Sequence, residues 1–146
     1  MNKKIFTSII FSFSIICALS QNVDNTSGVI YLTKADFLQK IANFQTNPEE
    51  FIYLGDKPCI IDFYTDWCAP CRRIAPILEE LSKEYADKIY IYKINIDKER
   101  EIATLFQVRS IPSILFIPQT GIPQMAVGLY PKATLVQVIN NFLLKN

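Results

Sequence analysis

From residue 29 onward the apolar residues fall in two patterns that take turns, short near-continuous runs and spacings of three and four. The first marks strands buried on both faces; the second marks helices with one apolar side. Residues 29–32 read as a short strand. Thr33 then caps a helix whose apolar side is Phe37, Ile41 and Phe44, with Asp36 placed for a capping box and Thr46-Asn47-Pro48 ending it. Residues 49–57 carry no decided period. Pro58 introduces Cys59-Ile60-Ile61-Asp62-Phe63-Tyr64, a buried strand with one ionisable residue inside it. Ile74, Ile77, Leu78, Leu81 and Tyr85 follow at helical spacing, so Cys71 falls in the first turn of a helix that Pro76 should kink.

Residues 89–96 repeat the buried-strand pattern with Lys93 as the exception, and Ile102, Leu105 and Phe106 predict a short helix. Residues 113–117 and 125–127 are two further strands joined through Gly121, and Pro123 places the second at a sheet edge. Leu135, Val138, Ile139, Phe142 and Leu143 form one side of a last helix. This order predicts an α/β fold, a central mixed sheet flanked by helices on both faces. The strands should run parallel where a helix intervenes and antiparallel at the terminal hairpin.

The first residues follow a different pattern. Lys3 and Lys4 precede an apolar run over residues 5–19, and Ala18-Leu19-Ser20 has the small-x-small form of a signal peptidase site. Residues 1–20 therefore read as a cleaved signal peptide, which makes the expected location periplasmic or secreted. A membrane anchor is disfavoured because the run, interrupted by Ser8, Ser12 and Ser14, is shorter than the roughly 20 residues that span a bilayer. Lipid attachment at Cys17 is the other alternative, and bulky Ile16 weighs against it. Residues 21–28, rich in Asn, Asp, Thr and Ser, read as a flexible segment before one folded domain over residues 29–146. Fifteen basic against 14 acidic residues, net +1, leave no field to gather nucleic acid or anionic lipid.

Cleavage at Ser20 would leave Cys59, Cys68 and Cys71, an odd number that does not describe a disulfide-stapled scaffold. Cys59 reads as a small buried hydrophobe. Cys68 and Cys71 stand where a strand feeds a helix, in Trp67-Cys68-Ala69-Pro70-Cys71. The thiolate is the nucleophile of disulfide exchange, and the free N–H groups and positive dipole end of a helix start favour it. Cys68 is thus the expected nucleophile and Cys71, one turn on, the resolving thiol. Pro70 fits a first helical turn and stiffens the pair. A zinc site would need further ligands, and the chain has no histidine and no second C-x-x-C.

The segment Ile61-Asp62-Phe63-Tyr64-Thr65-Asp66-Trp67-Cys68-Ala69-Pro70-Cys71-Arg72 resembles the thioredoxin active-site segment, usually written V-D-F-W-A-x-W-C-G-P-C-K. Ala75-Pro76 resembles that family's helix kink, Lys93-Ile94-Asn95-Ile96-Asp97 its K-x-N-x-D strand, and Val108-Arg109-Ser110-Ile111-Pro112-Ser113 its V-x-x-I-P-T loop. The likeness spans about residues 29–144 and implies the thioredoxin fold. It implies a cis bond before Pro112, with Ile111 and Pro112 facing substrate. It further implies that Asp62, with Lys93 near it, is the buried carboxylate that takes the proton of Cys71. Trp67 and Gly128 would border the docked partner, together with Ala69 and Pro70. Ala69 replaces the family's glycine, Tyr64 its tryptophan and Arg72 its lysine, none of them a reacting group.

The function expected from this reading is reduction of disulfides in exported proteins, with the Cys68-Cys71 disulfide as redox centre and no bound cofactor. Re-reduction would come from an upstream thiol or a membrane electron donor. Ala69-Pro70 lacks the histidine that makes such disulfides more oxidising, so the expected potential is nearer about −270 mV than about −120 mV. A disulfide oxidase or isomerase is the alternative, and a binding module or chaperone on the same fold a further one. The protein is expected to be a monomer.

Overall fold

A computed structural model of the chain describes residues 28–145. The expected signal peptide, Cys17 and nearly all of the segment over residues 21–28 lie outside the described residues. The elements are β1 (Ile30–Tyr31), α1 (Lys34–Lys40), β2 (Cys59–Tyr64), α2 (Ala69–Glu84), β3 (Tyr90–Asn95), α3 (Arg100–Leu105), β4 (Ser113–Ile117), β5 (Gln124–Val127) and α4 (Lys132–Val138). Among the described residues the strands form one sheet in the order β1-β3-β2-β4-β5. β5 lies at an edge, as Pro123 predicts.

Alternation along the central strands divides the core in two. Cys59, Ile61 and Phe63 of β2 join Tyr92 and Ile94 of β3 beneath Phe37, Ile41 and Ile102, so α1 and α3 cover that face. Ile60 and Ile91 look the other way, onto Ile74, Leu78 and Leu81 of α2 and Leu135 of α4. Helices therefore flank both faces. Burying each such side chain contributes about 1.5–3 kcal/mol before the cost of ordering it.

Four expectations need correction. First, β1 and β2 run parallel to β3, but β4 runs antiparallel to β2 although α3 intervenes. α3 has six residues, about 9 Å of rise, whereas a six-residue strand covers about 20 Å. The chain does not travel back along the sheet and enters β4 from the end at which it left β3. Second, α1 stops at Lys40 and does not include Phe44. The side chain of Asn43 accepts bonds from the backbone N–H groups of Gln45 and Thr46, an Asx turn that competes with the helix. Third, the last helix changes form at Ile139, becoming a π-helical turn over Ile139–Leu143 that keeps both of those residues in the core. Fourth, Leu105 is exposed; the buried residues of α3 are Ile102 and Ala103.

Thr33 and Asp36 form the reciprocal capping box in full. α2 runs unbroken through Pro76. Residues 49–57 form no helix or strand.

Candidate active site

Register brings the candidate residues to one end of the sheet. Tyr64 at the end of β2 lies beside Asn95 at the end of β3, Phe63 pairs with Ser113 at the start of β4, and Ser113 pairs with Val127 at the end of β5. The loop after β2, the turn before β4 and Gly128 therefore share one rim. The bond between Ile111 and Pro112 is cis. The N–H of Gly128 donates to the Pro112 carbonyl at 2.8 Å, which ties the two segments together. Gly128 has φ +112°, a conformation that L side chains rarely adopt.

On that rim Cys68 is the N-cap of α2, and its sulfur accepts the backbone N–H of Cys71 at 3.2 Å. The pair is closed as a disulfide, with Cα atoms 5.3 Å apart. Both cysteines are buried, while Ala69 is exposed and Pro70 half-exposed. The N–H that reaches the Cys68 sulfur is one of the groups a helix start leaves without a partner, and it stabilises a thiolate there once the disulfide opens. Trp67 is 70% exposed, and its indole N–H donates to Asp97 Oδ2 at 2.9 Å. That bond fixes a largely exposed ring at the rim.

Asp62 and Lys93 are register partners in the middle of the sheet, on the face that carries α2. Lys93 Nζ lies 3.3 Å from Asp62 Oδ2, the carboxylate fully buried and the lysine side chain 7% exposed. The contact is ionic, and neither Asp62 oxygen has a hydrogen bond among the described residues. Burial pushes the Asp62 carboxyl above the usual carboxylate range, and Lys93 offsets part of that rise. Lys93 also lines a cavity of about 220 Å³ together with Tyr64, Arg72 and Cys71, so the lysine end of the ion pair and Cys71 border one space.

The raised carboxyl links stability to pH. The folded state holds the Asp62 proton more tightly than the unfolded state, so its contribution is complete below the unfolded value, near pH 4, and declines as pH rises through the folded value. Asp62→Asn carries no such proton and leaves Lys93 without its partner at every pH. Its unfolding free energy relative to the native sequence should therefore improve steadily from about pH 4 toward neutrality. Urea midpoints of both proteins at several pH values measure this, and a constant difference would contradict it.

A family model described as Thioredoxin matches residues 28–141. The chain belongs to the thioredoxin family. It is 42% identical over 113 residues to the thioredoxin of Borreliella burgdorferi, covering 77% of this chain and 96% of that protein. With the thioredoxin of Haemophilus influenzae it shares 36% over 117 residues, 80% of this chain and 99% of that one. Among solved structures, the N21Q mutant thioredoxin from Halobacterium salinarum NRC-1 superposes with a TM-score of 0.64 at 21% identity, covering 80% of this chain and 92% of that chain. The protein is accordingly a thioredoxin-family disulfide oxidoreductase with Cys68 and Cys71 as its cysteine pair.

This thioredoxin-family site also uses residues that the sequence reading left without a role. Asp97 holds Trp67, and the Asn95 side chain receives the Asp97 N–H at 3.0 Å and donates to Asp66 Oδ2 at 3.1 Å. Arg72 donates to the Asp66 carbonyl at 3.2 Å. The end of β3 thus braces the loop before Cys68. The K-x-N-x-D motif contains both Asn95 and Asp97, but its spacing does not say which loop they reach. Cys59 lies at the opposite end of β2, fully buried in the other core layer, and burial pushes its thiol up to about 12. A protonated thiol there has no nucleophilic character.

Proposed function

We propose that this thioredoxin-family protein is exported and reduces disulfides in exported proteins. The Cys68 thiolate attacks a partner disulfide, forming one bond between Cys68 and the partner and releasing the partner's other sulfur as a thiolate. Asp62 takes the proton of Cys71, whose thiolate then attacks Cys68. The partner leaves as a dithiol and the Cys68–Cys71 disulfide is restored, so two electrons have passed to the partner. An upstream dithiol or membrane donor returns them by the same exchange, with no bound cofactor. Trp67, Ala69, Pro70, Ile111, Pro112 and Gly128 border the partner, which lies extended beside Ile111.

The observation that carries this reading is the Cys71 N–H directed at the Cys68 sulfur on the first turn of α2. It favours the attacking thiolate, and the absence of histidine from the intervening Ala69-Pro70 supports a reducing rather than strongly oxidising pair. Export is supported by Lys3, Lys4, the apolar run over residues 5–19 and Ala18-Leu19-Ser20.

One preparation tests both parts. The chain, expressed from Met1 in a bacterial host and recovered from the cell envelope, should begin at Gln21, and equilibration with dithiothreitol buffers should give a potential near about −270 mV. Recovery of the uncut chain from the cytoplasm contradicts export. A potential near about −120 mV contradicts the reductase role and favours disulfide insertion.

A further inference from the structure

Tyr64 stands where the thioredoxin segment carries tryptophan, and its ring has a particular neighbour. Lys93 Nζ lies over the ring at 4.4 Å from its centroid. The same ammonium is 3.3 Å from Asp62 Oδ2. Asp62 and Tyr64 are two positions apart on one face of β2, and Lys93 is the register partner of Asp62. The three groups therefore form one stack of carboxylate, ammonium and aromatic face. Tyr64 is itself braced edge-on by Tyr31 of β1, ring centroids 6.2 Å apart.

Lys93 is not confined by space alone. Together with Tyr64 it lines two cavities, one of about 220 Å³ that includes Cys71 and one of about 190 Å³ that includes Glu99 and Lys98 at the start of α3. A lysine carries its charge on a flexible four-carbon stem, so Glu99, whose Oε2 already accepts the Lys34 backbone N–H at 3.1 Å, is a competing acid bordering the same space. The other charged groups nearby are engaged: Asp66 receives Asn95 Nδ2 at 3.1 Å, and Arg72 donates to the Asp66 carbonyl. From β4, Asp62 faces only the apolar Ile114.

We propose that Tyr64 is a positioning residue, whose electron-rich ring face holds the Lys93 ammonium against Asp62 on the Cys71 side of the sheet. A cation over an aromatic face is attracted by the ring quadrupole, and most strongly where water is excluded. Lys93 is the contact that favours the Asp62 carboxylate against the cost of burial. Weakening the hold on Lys93 therefore raises the pH at which Asp62 loses its proton. The consequence for turnover rests on Asp62 as proton acceptor for Cys71.

The test replaces Tyr64 by phenylalanine and then by mono-, di- and trifluorinated phenylalanine, which keep the ring and drain charge from its face. Asp62 is titrated by carboxyl ¹³C NMR in the oxidised mature protein, and release of a mixed disulfide is timed across pH. The Asp62 midpoint should climb step by step, by about one pH unit at trifluorophenylalanine, while Tyr64→Trp keeps it at or below the native value. A midpoint unchanged across the fluorinated series overturns the proposal. A midpoint that climbs while the pH profile of release stays fixed sustains the role of Tyr64 and removes Asp62 as acceptor.

Discussion

In a Cys71→Ser chain, disulfide exchange should stop after one event, with one partner held on each molecule through Cys68. Serine keeps the backbone N–H that reaches the Cys68 sulfur, so the helix start still stabilises the thiolate and the first attack proceeds. The sulfur that would displace the partner is gone. Multiple-turnover reduction should fall by about 10³-fold or more, as it does when a reacting group is removed from a unit that acts together. Mass spectrometry of non-reduced samples should show the chain plus one partner, and dithiothreitol should separate them. Cys68→Ser should trap nothing, because the sulfur that the helix start stabilises as a thiolate, at the N-cap and facing the Cys71 N–H, is gone. Trapping by Cys68→Ser and not by Cys71→Ser would exchange the two roles.

A hydrophobic period reports what is buried, and the placement of two features needed nothing more. A buried run ending in C-x-x-C and followed by a 3.6-residue period places one cysteine at a helix start. Asp62 and Lys93 stood out because an ion inside a buried run must find a partner, and their register pairing supplies it. Other features depend on distances between segments. β4 is antiparallel because α3 is short, and no period in residues 113–117 distinguishes the two directions. Trp67 reaches Asp97, 30 positions away, and Lys93 sits over Tyr64, both set by how strands meet at the rim. α1 ended early because one Asn43 side chain outcompeted the next helical turn, a local contest in which the apolar spacing of Phe44 pointed the wrong way.

Phe37→Ala should be the most destabilising single truncation on the α1 side, costing about 3–5 kcal/mol. Phe37 is fully buried and is the one residue of α1 in that class. Its ring lies 5.7 Å from that of Phe106 and 6.2 Å from that of Phe44, and Phe106 in turn meets Phe51 and Phe63. Removing it opens a cavity in the middle of this group, which the flanking strands are too rigidly paired to close. α1 has seven residues, too few to persist on helix propensity, so its place on the sheet depends on Phe37 and on Ile41 at its C-cap. With a urea slope of about 1–3 kcal/mol per molar, the unfolding midpoint should drop by about 2 M. The loss is a large part of the roughly 5–15 kcal/mol that holds such domains together. The disulfide and Asp62 belong to the opposite layer, against α2, so exchange rates measured well below the new melting temperature should stay close to native. A loss under about 1.5 kcal/mol would mean that Phe44, Phe51 and Phe106 close over the gap, and that α1 is held by its capping box and not by its core contact.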